Sequence, residues 1–297
     1  MVDISADDGT PKLHPFLADT FAARQAWTAP KPKREPFTSD MFIYMFDDIS
    51  KCAAAMLSIL FDLNAAIFDW TRLGTLSGSR VSKYAQTSTR KGTFSRVPDS
   101  LDAGDWKNTP IEFIFSDFTF LTKAGRVAPH NRLQQLGYTV HELHIRFRFD
   151  KSTRNFTIRK FRRSGHHFLC TILGGISVIS RAIALRVPPN EPIGVYRTSN
   201  KGTYTYLRSY NVITRMQAVC RLAHPDKDRF FKKNAALMVS HSNRVTAAVA
   251  LQNAGLSIDA IAFCLPWSPE SVKDYLRDCS HAVGELTLQA VKGALLI

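Results

Sequence analysis

Five side chains of this sequence have the chemistry needed to hold a phosphodiester and attack it. They are Arg80, His241, Arg244, Trp267 and Tyr275. A phosphodiester under attack gathers negative charge on its equatorial oxygens, and a guanidinium group is a rigid fork of donors that suits such oxygens. Histidine and tryptophan add further N–H donors, and a phenol can act as a covalent nucleophile where cationic surroundings offset its weak acidity. The residue types therefore indicate covalent phosphoryl transfer.

Local signals place two of these residues at the start of one helix. Helical spacing runs from His241 to Gln252, and Gly255 is typical of the residue just past a helix end. His241 and Arg244 are three positions apart, so they share one face of that helix. Such a pair has little force alone in so basic a chain, and the order of the whole set carries the interpretation.

A second set of helix signals positions the tryptophan and the tyrosine. Ser257 is a plausible N-cap for a short helix that ends at Leu265, and Ser268 followed by proline is a strong helix start. Tyr275 is then expected about two turns into the last helix. Trp267 lies in the joint before it.

The surroundings of the first arginine resemble a known pattern. In the tyrosine recombinase (phage integrase) family, the first catalytic arginine sits in the context Gly-x-Arg-x-Ser/Ala-Glu. Here the segment from Gly78 through Arg80 to Ser82 matches, and Lys83 replaces the acidic residue. The chain is therefore similar to the catalytic domain of that family, and most like its divergent versions associated with eukaryotic mobile elements.

The spacing of the later residues extends this resemblance. Trp267 follows Arg244 by 23 residues, which is the interval of the family. Tyr275 follows Trp267 by eight, which is one fewer than in most members but suits the mobile-element branch. The resemblance covers roughly residues 40 to 285 and is tightest over 240 to 278.

The resemblance implies a role for each residue. Tyr275 would attack the scissile phosphorus of double-stranded DNA and hold the 3′ end as a phosphotyrosine, in site-specific recombination or integration. Arg80 and Arg244 would bind the non-bridging oxygens. Lys151, in a turn between two strands, would protonate the leaving 5′ oxygen, with Lys160 as the alternative lysine. No metal or other cofactor is required.

The remaining two residues, His241 and Trp267, would donate hydrogen bonds beside the arginines. Taken singly, each residue also has an ordinary structural interpretation. Trp267 fits a core position, Tyr275 fits a half-buried helix position, and Lys151 fits a surface turn. Strand exchange in this family calls for a tetramer on DNA, so the resemblance implies a homo-oligomer.

Departures from the family leave a second function open. Besides Lys83, Pro266 stands where glycine or a basic residue is usual, and 161 residues separate Arg80 from His241. Only about 40 residues precede the helix leading to Arg80, so the N-terminal core-binding domain of the family is expected to be missing. The alternative is a catalytically inactive DNA-binding remnant of a mobile-element recombinase. A third reading is an RNA-binding or structural basic protein.

Charge favours a polyanionic partner independently of the motif. Lysine and arginine number 39 against 25 aspartates and glutamates, which gives a net charge of +14 and a pI near 9.7. An excess of this size is typical of nucleic-acid-binding proteins, and the alternative is a solvated basic surface.

Cysteine usage and hydropathy exclude several classes of protein. The five cysteines have no Cys-x-x-Cys spacing, which argues against a zinc site or a disulfide framework. The N-terminus is acidic rather than typical of a signal peptide, so we expect an intracellular protein, nuclear if eukaryotic. The most apolar run, from Cys52 to Phe61, is too short to span a bilayer, so no membrane partner is expected.

The pattern of the chain predicts an α+β fold, mostly helical with a small antiparallel sheet. Residues 1–38 contain five prolines and no apolar periodicity, and are expected to be a disordered basic tail. Within the tail, 31–34 reads as a solvated linker or a nuclear address. Residues 39–297 are expected to form the recombinase-like domain.

In the first half of this domain, helical spacing covers 39–70, with Ser39 as a cap. A helix from 64, a turn at 74–78 and a second helix carrying Arg80 are expected to follow. Aromatic residues over 111–120 indicate a strand.

The second half of the domain begins with a predicted hairpin. Residues 144–149 and 156–163 alternate apolar and basic side chains. Arg146, Arg148 and Arg159 would face solvent or DNA phosphates.

The expected elements after the hairpin are mainly helical. Helices are expected over 170–184 and 209–224, with a polar loop or ribbon over 198–206 between them. Residues 227–233 are expected to be a loop. An apolar C-terminal tail over 279–297 would pack on its own domain or on a neighbouring subunit.

Overall fold

In the computed structural model, the described residues form two compact units, 1–33 and 34–297. These residues are 2–3, 12–13, 36–54, 58–86, 109–149, 156–166, 168–198, 203–223, 238, 241–265 and 267–277. In the first unit, β1 (Val2–Asp3) pairs antiparallel with β2 (Lys12–Leu13). The rest of the predicted tail up to 35, including 31–34, lies outside the described residues, as do the loop over 227–233 and the C-terminal tail over 279–297.

The unit 34–297 mixes helices with small antiparallel sheets, as the sequence predicted for an α+β protein. Over the described ranges there are eight α-helices, which are α1 (Ser39–Ala54), α2 (Ser58–Ser77), α3 (Leu133–Leu136), α4 (Thr171–Ala184), α5 (Ser209–Leu222), α6 (Ser242–Asn253), α7 (Ile258–Cys264) and α8 (Pro269–Arg277). Short 3₁₀ turns cover Val81–Lys83, Phe115–Asp117, His130–Arg132 and Gly137–Thr139. None of the described helices is both long and apolar enough to cross a membrane.

A four-stranded antiparallel sheet lies in the middle of the chain. Its strands, β3 (Phe118–Thr122), β4 (Val127–Ala128), β5 (Val140–Phe147) and β6 (Thr157–Arg162), are ordered β4-β3-β5-β6. The predicted hairpin is confirmed, because β5 and β6 pair with Ile145 opposite Arg159. Its turn, 150–155, lies outside the described residues.

Helix α2 is the central element of the helical layer. It packs against α1, α4 and α6. A Cβ on Gly174 of α4 would come within 2.9 Å of the Asp69 carbonyl oxygen, so only glycine permits this close approach of the two backbones. On the core side, the Trp70 ring stacks on Tyr84 with 4.7 Å between centroids. Buried residues of the sheet, among them Phe118, complete this core.

Three later predictions agree with the structure. The helix predicted over 170–184 is α4, with Ile172, Val178 and Ile179 among its buried residues. The ribbon alternative for 198–206 is confirmed in part, because β8 (Tyr204–Tyr206) lies in this range and pairs with β7 (Val195–Arg197), which ends just before it. The helix predicted over 209–224 is α5.

The expected break at 74–78 is wrong, and so is the helix expected to carry Arg80. Helix α2 continues through Gly74 to Ser77. Gly74 stays helical and lies close to Asn243 of α6, since a Cβ built on Gly74 would be 3.3 Å from Nδ2 of Asn243. The helix ends at Gly78, whose φ is +61°. Arg80 follows in extended backbone, φ −74° and ψ 147°, just before the Val81–Lys83 turn.

The strand predicted over 111–120 is only partly present. Regular pairing begins at Phe118, because a 3₁₀ turn precedes it. The carboxylate of Asp117 accepts a hydrogen bond from the Ile114 backbone N–H at 2.9 Å and stabilises that turn. A single buried polar residue therefore interrupts a run that reads as continuous strand.

The prediction that Arg148 and Arg159 face solvent or phosphates is also wrong. Their relative exposures are 2% and 8%. Arg148 donates from Nε to both carboxylate oxygens of Asp117 at 2.8 and 3.0 Å. Arg159 lies over the Phe147 ring at 3.8 Å and donates to the Ser77 carbonyl. Both are structural cations, whereas Arg146 is half-buried.

Helices α6 to α8 form a second, smaller core. Each of their predicted boundaries is confirmed. Gly255 has φ +82° just past α6, and the Ser257 hydroxyl accepts from the Ala260 N–H at 3.2 Å as the N-cap of α7. The Ser268 hydroxyl accepts from the Ser271 N–H at the start of α8. The segment preceding α1 joins this region, because Phe37 donates its N–H to the Thr246 hydroxyl at 2.6 Å.

Candidate active site

The second core brings four of the predicted site residues together. His241 is the residue before the first turn of α6, and Arg244 lies in that turn. Trp267 lies in the joint between α7 and α8, held by a hydrogen bond from its backbone N–H to the Ala262 carbonyl at 3.0 Å. Tyr275 lies about two turns into α8, as the helix pattern predicted.

The tyrosine hydroxyl contacts the histidine ring. His241 Nδ1 and the Tyr275 hydroxyl are 3.2 Å apart, and the ring centroids are 6.3 Å apart. Either group can donate, depending on the tautomer of the imidazole. With Nδ1 unprotonated, the ring accepts the phenolic proton, which is the arrangement a nucleophile and its base require.

The guanidinium of Arg244 is stacked on aromatic rings. Its central carbon lies 4.0 Å from the Trp267 ring centroid and 5.4 Å from that of Tyr275. The two aromatic rings are themselves 4.9 Å apart. The relative exposures of Arg244, Trp267 and Tyr275 are 6%, 7% and 8%, so water is largely excluded between them. Partial desolvation strengthens the attraction of a cation to a ring face.

A glycine two residues before Arg80 contacts this group. A Cβ on Gly78 would lie 3.1 Å from Cζ2 of Trp267 and 3.0 Å from a methyl of Leu265. Arg80 is two residues further, so its Cα lies within about 7 Å of that of Gly78. The Arg80 side chain is half-buried. The segment that carries Arg80 is therefore packed against the indole on which Arg244 stacks.

The hairpin is attached to the same segment. Arg159 on β6 donates to the carbonyl of Ser77, at the end of α2, and Lys83 donates from Nζ to the carbonyl of Phe149. Lys151 follows Phe149 by two residues and lies outside the described residues, as does Pro266. Lys160, the alternative lysine, is exposed on β6 next to Arg159, and successive strand residues point to opposite faces. Its side chain therefore leaves the sheet on the face away from Ser77.

Three residues that position the site were not assigned this role from the sequence. Gly78 sets the contact with Trp267, and Arg159 and Lys83 attach the hairpin to the Arg80 segment. A glycine just after a helical run was a usable signal for Gly78, since positive φ is common there. No local pattern distinguishes the two cations from surface residues.

Comparison with known proteins adds no assignment. No protein-family model matches the chain, and no curated protein matches it. Over the part of the chain that the structure describes, no group of three or more His, Cys, Asp or Glu side chains is arranged to hold a metal ion.

Proposed function

We propose that this protein breaks and rejoins DNA through a covalent 3′-phosphotyrosine formed on Tyr275, as its resemblance to the tyrosine recombinases implies. One observation carries the proposal. The Tyr275 hydroxyl lies 3.2 Å from His241 Nδ1, beside a guanidinium stacked on the same aromatic pair. A phenol, a proton acceptor and a cation within one small cluster are the minimum set for a phosphoryl transfer to tyrosine.

In the proposed step, the Tyr275 oxygen forms a bond to the scissile phosphorus and the bond to the DNA 5′ oxygen breaks. The phenolic proton passes to His241 Nδ1. The leaving oxygen takes a proton from an acid, a role the resemblance gives to Lys151. Arg80 and Arg244 offset the charge on the non-bridging oxygens, with the Trp267 indole beside them. Attack by a free DNA 5′ hydroxyl reverses the step and rejoins the strand.

The DNA duplex would be held mainly by charge. The net charge of +14 gives a phosphate backbone a strong, salt-dependent attraction. On the outer face of the β5–β6 hairpin, Arg146 and His144 alternate with buried residues, and Lys160 and Arg162 are exposed on the neighbouring strand. Strand exchange between two duplexes would require a homo-tetramer on DNA.

A catalytically inactive DNA-binding remnant is the second candidate. The burial of Tyr275 favours it, because a residue that is only 8% exposed offers little surface to a DNA phosphate. Lys83 points the same way, since it stands where the family has an acidic residue and is engaged with the Phe149 carbonyl.

A covalent trap separates the two candidates. The full chain is incubated with a library of duplexes of random sequence, each with a nick in its labelled strand. Cleavage of that strand near the nick releases a short 5′-hydroxyl fragment, which diffuses away. The strand then cannot be rejoined, and the adduct accumulates. The proposal expects a denaturation-resistant protein–DNA adduct whose peptide map locates the DNA on Tyr275. Tyr275→Phe abolishes it.

The matched control is Tyr138→Phe, which removes a phenol that is 81% exposed and far from the cluster in sequence. It should leave the adduct yield unchanged. Library binding with no adduct from the unaltered protein supports the remnant instead. An absence of DNA binding at moderate salt overturns both candidates and favours the third reading, a basic protein with another partner.

A further inference from the structure

Three buried polar side chains lie where helix α2, the Arg80 segment and the start of α6 pack together. The Trp70 ring of α2 stacks on the Tyr84 ring, with 4.7 Å between centroids and 6° between planes. One turn along α2, a Cβ on Gly74 would lie 3.3 Å from Nδ2 of Asn243. Trp70, Tyr84 and Asn243 are at most 1% exposed, so the fold encloses this polar group.

The polar atoms of these side chains are poorly satisfied. Among the described residues, Trp70 Nε1, the Tyr84 hydroxyl and both polar atoms of the Asn243 carboxamide have no hydrogen-bond partner of good geometry. Burial raises the pKa of the Tyr84 hydroxyl, and hydrogen bonding to the nearby Asn243 carboxamide opposes this in part. The hydroxyl and the carboxamide are therefore neighbours whose contact is longer or more bent than an ordinary hydrogen bond.

The contact between Tyr84 and Asn243 does little for the stability of the fold. A buried polar group without a full hydrogen bond costs free energy, and replacing both partners by apolar groups of the same shape is nearly neutral or stabilising. Phenylalanine in place of Tyr84 and leucine in place of Asn243 keep the branching of the side chains. Residues that break a local rule in this way are expected at functional sites, where the cost is offset by function.

Tyr84 belongs to the turn that begins at Arg80. Within this turn, the Arg80 carbonyl accepts from the Lys83 N–H at 2.9 Å, and the Val81 carbonyl accepts from the Tyr84 N–H at 3.0 Å. These two bonds fix the backbone between Arg80 and Tyr84. A displacement of the Tyr84 ring is therefore transmitted to the backbone that carries the Arg80 side chain.

Asn243 lies in the first turn of α6, between His241 and Arg244. The His241 carbonyl accepts from the Arg244 N–H at 2.9 Å and from the Val245 N–H at 3.1 Å, which fixes the backbone of this turn. Successive helix residues point about 100° apart. Asn243 is thus directed to α2, while the Arg244 guanidinium lies on the Trp267 ring.

We propose that Tyr84 and Asn243 are positioning residues, whose contact sets the separation of Arg80 and Arg244. The inference rests on the proposed function, in which both arginines bind one phosphate, and neither positioning residue touches the reacting atoms. Closure of the arginines on the phosphate brings their two turns together and completes the Tyr84–Asn243 hydrogen bond. Its preferred length and direction then hold the turns more narrowly than an apolar contact, which is non-directional.

The test measures covalent trapping at increasing concentrations of one duplex, recovered from the adducts with the nicked library. Tyr84→Phe and Asn243→Leu should each lower the trapping rate at saturating DNA about tenfold, because a small misplacement of a reacting group slows a reaction strongly. The DNA concentration that gives half of the maximal rate should stay within about twofold. The melting temperature of each variant should be unchanged or higher.

Matched controls make the same substitutions at exposed positions. Asn253→Leu alters the exposed last residue of α6, and Tyr210→Phe alters a phenol of α5 that is 72% exposed. Neither should change the trapping rate. The double variant of Tyr84→Phe with Asn243→Leu should be no slower than the slower single variant, because all three lose the same contact.

The outcomes separate this inference from the function on which it rests. A normal rate at saturating DNA in Tyr84→Phe, or multiplication of the two single effects in the double variant, overturns the positioning role alone. Lower melting temperatures with unchanged rates assign a structural role and also overturn it. If Asn243→Leu does not fold, Tyr84→Phe, which removes one oxygen, decides by its rate. No adduct from the unaltered protein overturns the proposed function, and the positioning role falls with it.

Discussion

The two sides of helix α2 hold arginines by different means. On the side turned to α6, Arg244 is positioned by ring faces, with its guanidinium 4.0 Å from the Trp267 centroid. On the side turned to α4, Arg72 and Arg181 are positioned by one shared carboxylate. Stacking fixes the plane of a guanidinium through shape, whereas an ion pair occupies its donors and offsets its charge. Under the proposed function the first arrangement suits a reacting phosphate, whereas the second uses guanidinium donors to hold α2 and α4 together.

The largest effect on the free energy of unfolding is expected at Asp69, whose charge positions Arg72 and Arg181. Asp69→Asn removes the carboxylate that pairs with both Arg72 and Arg181 and leaves their guanidinium groups close together without it. Breaking a buried ion pair from one side typically costs about 3–5 kcal/mol in the free energy of unfolding. Urea denaturation measures it. Asp47→Asn, an exposed position on α1, is the control and should change stability by less than about 0.5 kcal/mol. A small loss at Asp69 would show that the arginines are compensated in another way.

The next effect concerns the stacked arginine. Arg244→Lys keeps the charge but loses the flat ion that lies on the Trp267 ring. Under the proposed function, adduct formation should slow about a hundredfold, as for loss of one donor to a reacting oxyanion. The rate of covalent trapping is the measurement, and Arg132→Lys at an exposed position is the control. Unchanged trapping would mean that stacking at Arg244 has no part in the reaction.

A smaller effect is expected at the contact between the Arg80 segment and the indole. Gly78→Ala places a methyl 3.1 Å from Trp267 in backbone with φ +61°. Positive φ alone costs about 1–2 kcal/mol, and the contact should add to it. Gly125→Ala isolates the contact, because Gly125 has φ +74° with nothing within 4 Å of its added Cβ. Equal losses of unfolding free energy in the two variants would show that the Trp267 contact is easily relieved.

The smallest effect compares two serines on one helix. Ser177→Ala removes the acceptor of the Arg72 hydrogen bond and should cost about 1 kcal/mol in thermal unfolding. Ser180→Ala, three residues later, removes a buried hydroxyl without a partner in the described structure and should cost nothing or stabilise slightly. If Ser180→Ala costs more than Ser177→Ala, the Ser180 hydroxyl has a role that its surroundings do not show.

Local patterns predicted the elements that carry the later site residues. The caps of α7 and α8 and the glycine after α6 depend on interactions within a few residues, so the sequence states them directly. The same logic failed at Gly74, where a breaker is accommodated by packing against Asn243, a residue 169 positions away. It failed again at Asp117, where one buried carboxylate replaces strand with a turn.

The sequence by itself determined the order and approximate spacing of the groups on α6 and α8, because helix geometry follows from short-range signals. Only the tertiary structure decided which cations are structural and which line a site. Arg148 and Arg159 read as surface residues of an alternating hairpin but are buried against Asp117 and Phe147. Arg72 and Arg181 share Asp69 across 109 residues of chain, and no local pattern encodes that pairing. Long-range packing chooses the environment of a side chain, and the environment determines what its charge can do.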